Sequence, residues 1–301
     1  MYCWGDDTSD WARPQAYRFA GSQTARAARR AAAQASRQRG GRRYLSRSAP
    51  ELARVDPFGK KIATRSANPV VVAVDVTGSM SHWPYEIFDR LPLLYQTLAQ
   101  YRPDVEISFV AIGDATSDRY PLQICDFARG IALEDELNAI YGEGGGGGTL
   151  RESYELFAYY LLHHARAPEA SERPFLILYG DEAFYERVAA AHVRSLIGDD
   201  LQEDVDSRRV FAALCESWQL YLLRKPYGGG RDDAIEEQWL ETIGPGRLVR
   251  LESAERAVDM ALGIIARAWG RAEDFARNLS ARQSDAVVRR LEDALDEVLQ
   301  R

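Results

Sequence analysis

From residue 69 onward, short runs of consecutive apolar residues alternate with longer stretches in which apolar positions recur every three or four. The first pattern marks strands buried on both faces, and the second marks helices with one apolar side. Their alternation predicts a sheet covered by helices on both faces. Strands are expected at 70–75, 105–112, 120–125, 175–179, 220–223 and 247–251. Helices are expected at 85–101, 132–141, 150–164, 183–197, 207–216, 232–243 and 254–269, with Pro92 kinking or dividing the first. The polar link 113–119 is too short for a crossover helix, so the two strands it joins should run antiparallel. The expected fold class is α/β: a doubly wound, mostly parallel six-stranded sheet with one antiparallel edge strand.

Both ends of the chain depart from this pattern. Residues 1–66 are rich in Arg, Ala, Ser and Gln and lack a sustained apolar period, apart from a helix-prone run at 24–38, so this segment is expected to be only partly ordered. Residues 271–301 read as amphipathic helices in which Val288, Leu291, Leu295 and Val298 are spaced by three, four and three. That stripe faces either the body of the chain or a partner helix. The body proper is then 67–270.

Charge sharpens the division. The net charge of -7 conceals 14 basic against 5 acidic residues in 1–66, a net +9, and 24 against 40 in the remainder, a net -16. A basic run such as 26–47 is a solvated segment, an arm docked on the acidic body, or a nucleic-acid contact. Cys3, Cys125 and Cys215 are far apart with no C-x-x-C pair, which argues against a disulfide framework or a thiolate zinc site and fits a reducing compartment. Without a signal-peptide core or an eighteen-residue apolar stretch, a soluble, cytoplasmic chain with no membrane anchor is expected.

The segment VVVAVDVTGSMSHW at 70–83 carries the candidate chemistry. A buried strand ends in Asp75, and Thr77 and Ser79 follow at once. In an open parallel sheet, ligands sit beyond the carboxyl ends of the strands, where strand order reverses. Two further segments are expected at that edge: GEGGGGGTLRES at 142–153, with Thr149 at a helix start, and FLILYGDEAF at 175–184, with Asp181 just past a strand. Asp75, Thr77, Ser79, Thr149 and Asp181 offer only hard oxygen donors, a set that selects Mg²⁺, Mn²⁺ or Ca²⁺ over zinc or copper. Each has a plainer alternative. Asp75 could cap its loop, and Thr149-x-x-Glu152 spells a capping box. Trp83 and Tyr85 either edge the site or pack in the core. The four histidines have no acidic partner at ligand spacing and are assigned no metal role.

These residues resemble the metal-ion-dependent adhesion site of the von Willebrand factor A (vWA) family, in which a D-x-S-x-S loop, a Thr and a later Asp surround the ion. Asp75-Val-Thr-Gly-Ser-Met80 is close to the bacterial intracellular variant, and the resemblance runs from about residue 68 to 269. Thr77 stands where Ser is commoner, and the glycine run 144–148 is longer than in most members. The resemblance implies a Rossmann-like vWA fold and a metal-dependent adaptor or scaffold that takes an Asp or Glu from a protein partner. Gly113-Asp114-Ala115 and Glu152-Ser153-Tyr154 also look like bacterial members linked to MoxR-type AAA+ ATPases.

Catalysis finds less support. A phosphotransferase of the haloacid dehalogenase type needs D-x-D where this chain has Asp75-x-Thr77, so a metal-dependent hydrolase is disfavoured. No Ser/His/Asp or Cys/His signature accompanies it. A Walker loop needs Gly-Lys-Ser/Thr, whereas Thr149-Leu150 follow the glycines here. The glycines are expected to form a flexible loop beside the site.

Overall fold

A computed structural model describes residues 48–145, 148–251 and 253–299. The helix-prone run 24–38 and the candidate nucleic-acid segment 26–47 lie outside the described residues.

Strand β1 (Pro69–Asp75) is buried along its whole length. Its side chains point alternately to opposite faces. Val70, Val72 and Val74 enter one apolar core and Val71 and Ala73 the other, which is why the run is continuously apolar. Helix α1 (Trp83–Tyr101), strands β2 (Glu106–Ile112) and β3 (Leu122–Ile124), and helices α2 (Ala132–Ala139) and α3 (Tyr154–His164) follow. Next come β4 (Phe175–Gly180), α4 (Ser207–Ser217), β5 (Gln219–Arg224), α5 (Arg231–Ile243) and β6 (Leu248–Arg250). The chain closes with α6 (Ala257–Ala268), α7 (Ala272–Arg282) and α8 (Asp285–Leu299).

The sheet order is β6-β5-β4-β1-β2-β3, parallel throughout except for β3, which runs against β2 with Ile112 opposite Leu122. The six strands, the antiparallel edge and the doubly wound layering match expectation. Helices α1, α2 and α6 cover one face, and α3, α4 and α5 cover the other. The chain goes from β1 to β2 on one side and reaches β4 on the other. The ends of β1 and β4 therefore flank the crevice where strand order reverses.

Two local expectations need correction, and a third, at Pro92, is narrowed. The helix expected at 183–197 is replaced by the short strands Ala183–Phe184 and Arg187–Val188, a turn of helix at Ala190–His192 and a wider turn at Val193–Ile197. The strands find backbone partners in Arg151–Glu152 and Val205–Asp206, and these ladders override the helical periodicity. The helix expected from 150 starts at Tyr154, because Arg151 and Glu152 are held in the first of those ladders. Thr149 is consequently not at a helix start, and the capping box does not form. Helix α1 runs on through Pro92 without being divided.

The ends of the described chain pack on the body. Val55 and Ile62 are buried, and Ile62–Ala63 pairs with Ala165–Arg166, so part of the basic extension is built into the fold. Leu291, Leu295 and Val298 of α8 join the core beneath α6, so the C-terminal stripe faces this chain's own body. Among the described residues, no helix is long and apolar enough to cross a membrane.

Candidate functional site

At the crevice, Asp75 ends β1 and Asp181 immediately follows β4; both are fully buried. Beyond Asp75 the chain turns sharply before α1. The turn is closed by the Ser81 N–H donating to the Gly78 carbonyl at 3.0 Å, with Ser81 in the left-handed region at φ 56°. This brings Thr77 and Ser79 back over the strand end. The Thr77 backbone N–H and hydroxyl both donate to Asp75 Oδ1, at 2.8 and 2.6 Å. The Thr77 and Ser79 hydroxyls are 3.1 Å apart, and Ser79 Oγ donates to Asp181 Oδ1 at 3.0 Å. Four of the five candidate residues thus form one string of oxygens across two strand ends: each hydroxyl donates outward to a carboxylate, and the two hydroxyl oxygens meet in the middle.

Thr149 lies elsewhere. It is exposed, its hydroxyl donates to the Arg151 carbonyl at 2.9 Å, and it sits 3.2 Å from the Tyr185 hydroxyl. Tyr185 Oη in turn donates to Asp114 Oδ1 at 3.0 Å, and the hydroxyls of Thr116 and Ser117 donate to Asp114 Oδ2. Thr149 therefore belongs to the ring of hydroxyls around Asp114, beside the Asp75 string.

The first glycines of the 144–148 run serve a packing role. Gly144 N–H donates to the Val76 carbonyl at 3.0 Å, and Gly78 N–H donates to the Gly145 carbonyl at 2.5 Å, which lays this loop along the Asp75–Ser79 turn. A Cβ on Gly145 would stand 2.0 Å from Asp118 Oδ1, so any larger residue there has to displace the Asp118 carboxylate. Trp83 is buried in the core, whereas Tyr85 is exposed at the surface beside Gly142.

Several site residues escaped the sequence reading. The Tyr154 hydroxyl donates to Asp75 Oδ2 and accepts the Asp181 N–H at 3.3 Å, tying the two strand ends together. Lys225, the residue after β5, donates its ammonium to Asp181 Oδ2 at 3.0 Å and to the Ser79 carbonyl at 2.5 Å. Arg224, fully buried, binds the Asp181 carbonyl at 3.0 Å and pairs with Asp232 and Glu236 at 2.5 and 2.9 Å. Glu152 is buried, and its Oε2 has no hydrogen-bond partner. Only knowledge of the strand order, which brings the ends of β1, β4 and β5 side by side, could have signalled Lys225.

Electrostatics at the site are dominated by burial. Desolvation, then the neighbouring Asp181 charge, pushes the Asp75 carboxyl up to about 7 against the opposing hydrogen bonds from Thr77 and Tyr154. Desolvation, then the charges of Asp75, Asp114, Asp118 and Asp181, pushes Glu152 up to about 10. Burial, then the Asp75 charge, holds the Tyr154 phenol well above its usual range, so it stays a proton donor.

These residues suit a hard cation. Among the described residues, no three His, Cys, Asp or Glu side chains form a ligand cluster, so an ion here would need the hydroxyls as well as the carboxylates. The string supplies both, with two buried carboxylates and two hydroxyls converging at the crevice. All-oxygen donors with net negative charge are the chemistry of Mg²⁺, Mn²⁺ and Ca²⁺ sites. His164 is engaged with Asp199 at 2.7 Å.

No protein-family model matches the chain, and no curated protein matches it. Among solved structures it is similar to the open conformation of the pilus adhesin SpaC from Lactobacillus rhamnosus GG (12% identity, TM-score 0.45), covering 72% of this chain and 31% of that one. It is also similar to proximal thread matrix protein 1 from the mussel byssus (9% identity, TM-score 0.44), covering 72% and 49% of the two chains. The SpRpn10 VWA domain is a third such structure (10% identity, TM-score 0.39), covering 64% and 94%. The chain thus spans between about a third and a half of the first two proteins, and each likeness is one of fold alone.

Proposed function

We propose that this chain is a binding module of the von Willebrand factor A type. In this reading Asp75, Thr77, Ser79 and Asp181 hold a divalent cation, Mg²⁺ or alternatively Mn²⁺ or Ca²⁺, and an Asp or Glu from a protein partner completes its coordination. The observation that carries the reading is the approach of these four side chains across the ends of β1 and β4, where Thr77 bonds Asp75, Ser79 bonds Asp181 and the two hydroxyl oxygens lie 3.1 Å apart. A neutral hydroxyl that binds the ion directly withdraws less of its charge than a carboxylate would, which leaves the ion attractive to a carboxylate from outside. Thr149 belongs to the proposed set as a fifth donor, whose hydroxyl is engaged here by the Arg151 carbonyl and the Tyr185 hydroxyl.

The role is recognition without catalysis, because position 77 carries a hydroxyl where an acid–base carboxylate would be needed. The partner class proposed from the sequence resemblance is an AAA+ ATPase of the MoxR type, with this chain acting as its adaptor. Capture on the immobilised chain, with Mg²⁺ or with EDTA, and with Asp75→Ala beside the native protein, tests the reading. Retention of the partner by the native chain in Mg²⁺ alone is expected. Capture that is indifferent to EDTA and to the substitution would overturn it.

A further inference from the structure

Lys225 is the basic side chain that touches the carboxylate end of the site. Its backbone N–H donates to the Gly180 carbonyl at 2.9 Å, which fixes the residue beside the end of β4. Its side chain is largely buried and crosses the face of Tyr227, 5.1 Å from the ring centroid. The ammonium then reaches two residues of the proposed ligand set at once, Asp181 through a carboxylate oxygen and Ser79 through its carbonyl. Arg224 bonds the Asp181 carbonyl, Asp232 and Glu236, whereas Lys225 pairs with the Asp181 carboxylate, whose other oxygen accepts from Ser79. The carboxyls of Asp75, Glu152 and Glu182 all feel the Asp181 charge, so this corner is rich in acids.

An ammonium and a divalent ion held by the same carboxylate carry like charges, which repel strongly at such separations in a partly desolvated pocket. We infer that Lys225 is a tethered counter-cation of this site. It neutralises Asp181 and holds the Ser79 turn when no divalent ion is bound, and its charge opposes the entry of the ion. Lys225 thereby sets the affinity for the ion. With the ion bound, the ammonium adds a second positive charge to this corner, which favours an acidic group on the partner. This inference rests on the metal reading proposed above.

Titration of the full chain with Mn²⁺ alone, followed by calorimetry and by the Mn²⁺ electron paramagnetic resonance signal, separates the two ideas. Lys225→Met is expected to bind Mn²⁺ at least about tenfold more tightly than the native chain, because the competing charge is gone. Lys225→Arg keeps the charge and should stay within about threefold of native. Without metal, Lys225→Met should also melt at a lower temperature than native, and Mn²⁺ should raise its melting temperature by more. Should Lys225→Met fail to fold, Lys225→Gln, which keeps a donor for the Ser79 carbonyl but no charge, takes its place. Equal or weaker Mn²⁺ binding by the uncharged variant, with binding still abolished by Asp181→Ala, overturns the inference and leaves the metal reading standing. Absence of Mn²⁺ binding in the native chain and the uncharged variant alike removes both.

Discussion

Glu152 shows how strongly this site depends on single residues. Its buried Oε2 lacks a hydrogen-bond partner, and burial followed by four neighbouring acids lifts its carboxyl from an ordinary 4.5 to about 10. Between those two values the folded chain keeps a proton that the unfolded chain releases, so stability is greatest below the lower value and declines as pH rises. Asp75 adds to the same decline from 3.8 to about 7. Without divalent cations, the melting temperature should therefore fall between about pH 5 and about pH 8, and Glu152→Gln should flatten that fall. At the higher pH the variant should melt later than native, by roughly 2–4 °C for each kcal/mol recovered. Parallel melting profiles for the two proteins would show that Glu152 carries no such penalty. The local motif was legible in the sequence: Asp75, Thr77 and Ser79 lie two apart after an apolar run, and Asp181 follows another. Tyr154, Glu152 and Lys225 were not, since they reach the site through strand order and through a two-residue ladder that periodicity does not encode. Thr149 was misplaced for the same reason: its capping-box spelling was present, but the ladder at Arg151–Glu152 postponed the helix.

At the scale of elements, the buried strands were the clearest part of the sequence, because being covered on both faces leaves β1 and β4 no polar position before their ends. The stretch 183–197 imitates a helix because Phe184 and Val188, and again Val193 and Ile197, are buried four residues apart, while the backbone at 183–188 is committed to strand partners. The C-terminal stripe was recognised as one that must be covered, but its partner was not readable from its own spacing. That partner includes α6, where Gly263 lets α8 come close: a Cβ there would stand 2.4 Å from Leu295 Cδ1 and 3.1 Å from Phe275 Cε1. Leu295 is fully buried at this contact. Leu295→Ala should accordingly cost about 2–5 kcal/mol, the range for removing a buried Leu from a core that cannot collapse around the gap. Chemical denaturation of the native and variant chains measures it. A loss well below 1 kcal/mol would mean that α8 is not part of the cooperative fold.

For the molecule as a whole, the basic residues concentrated in 1–66 leave the remaining chain with a net charge of -16. A body so acidic gains stability from any salt that screens its self-repulsion, so stabilisation by MgCl₂ alone would say nothing about a site. The proposed site makes a narrower demand. An ion that binds only the folded state stabilises by mass action, about 2.7 kcal/mol when its free concentration is roughly a hundredfold above its dissociation constant. For a chain of this size that corresponds to a rise of roughly 5–10 °C in melting temperature. The rise should be absent in NaCl of matched ionic strength and absent in Asp75→Ala, while EDTA should reverse it in the native chain. Screening would instead give similar shifts for both salts and both proteins. The same comparison bears on the pH dependence: an ion between Asp75 and Asp181 favours their charged forms, so its binding should displace protons and strengthen as pH rises through about 7. Melting shifts that grow from about pH 6 to about pH 8 in MgCl₂, but not in NaCl, would place the ion on those two carboxylates; shifts of constant size would place it elsewhere on the acidic surface.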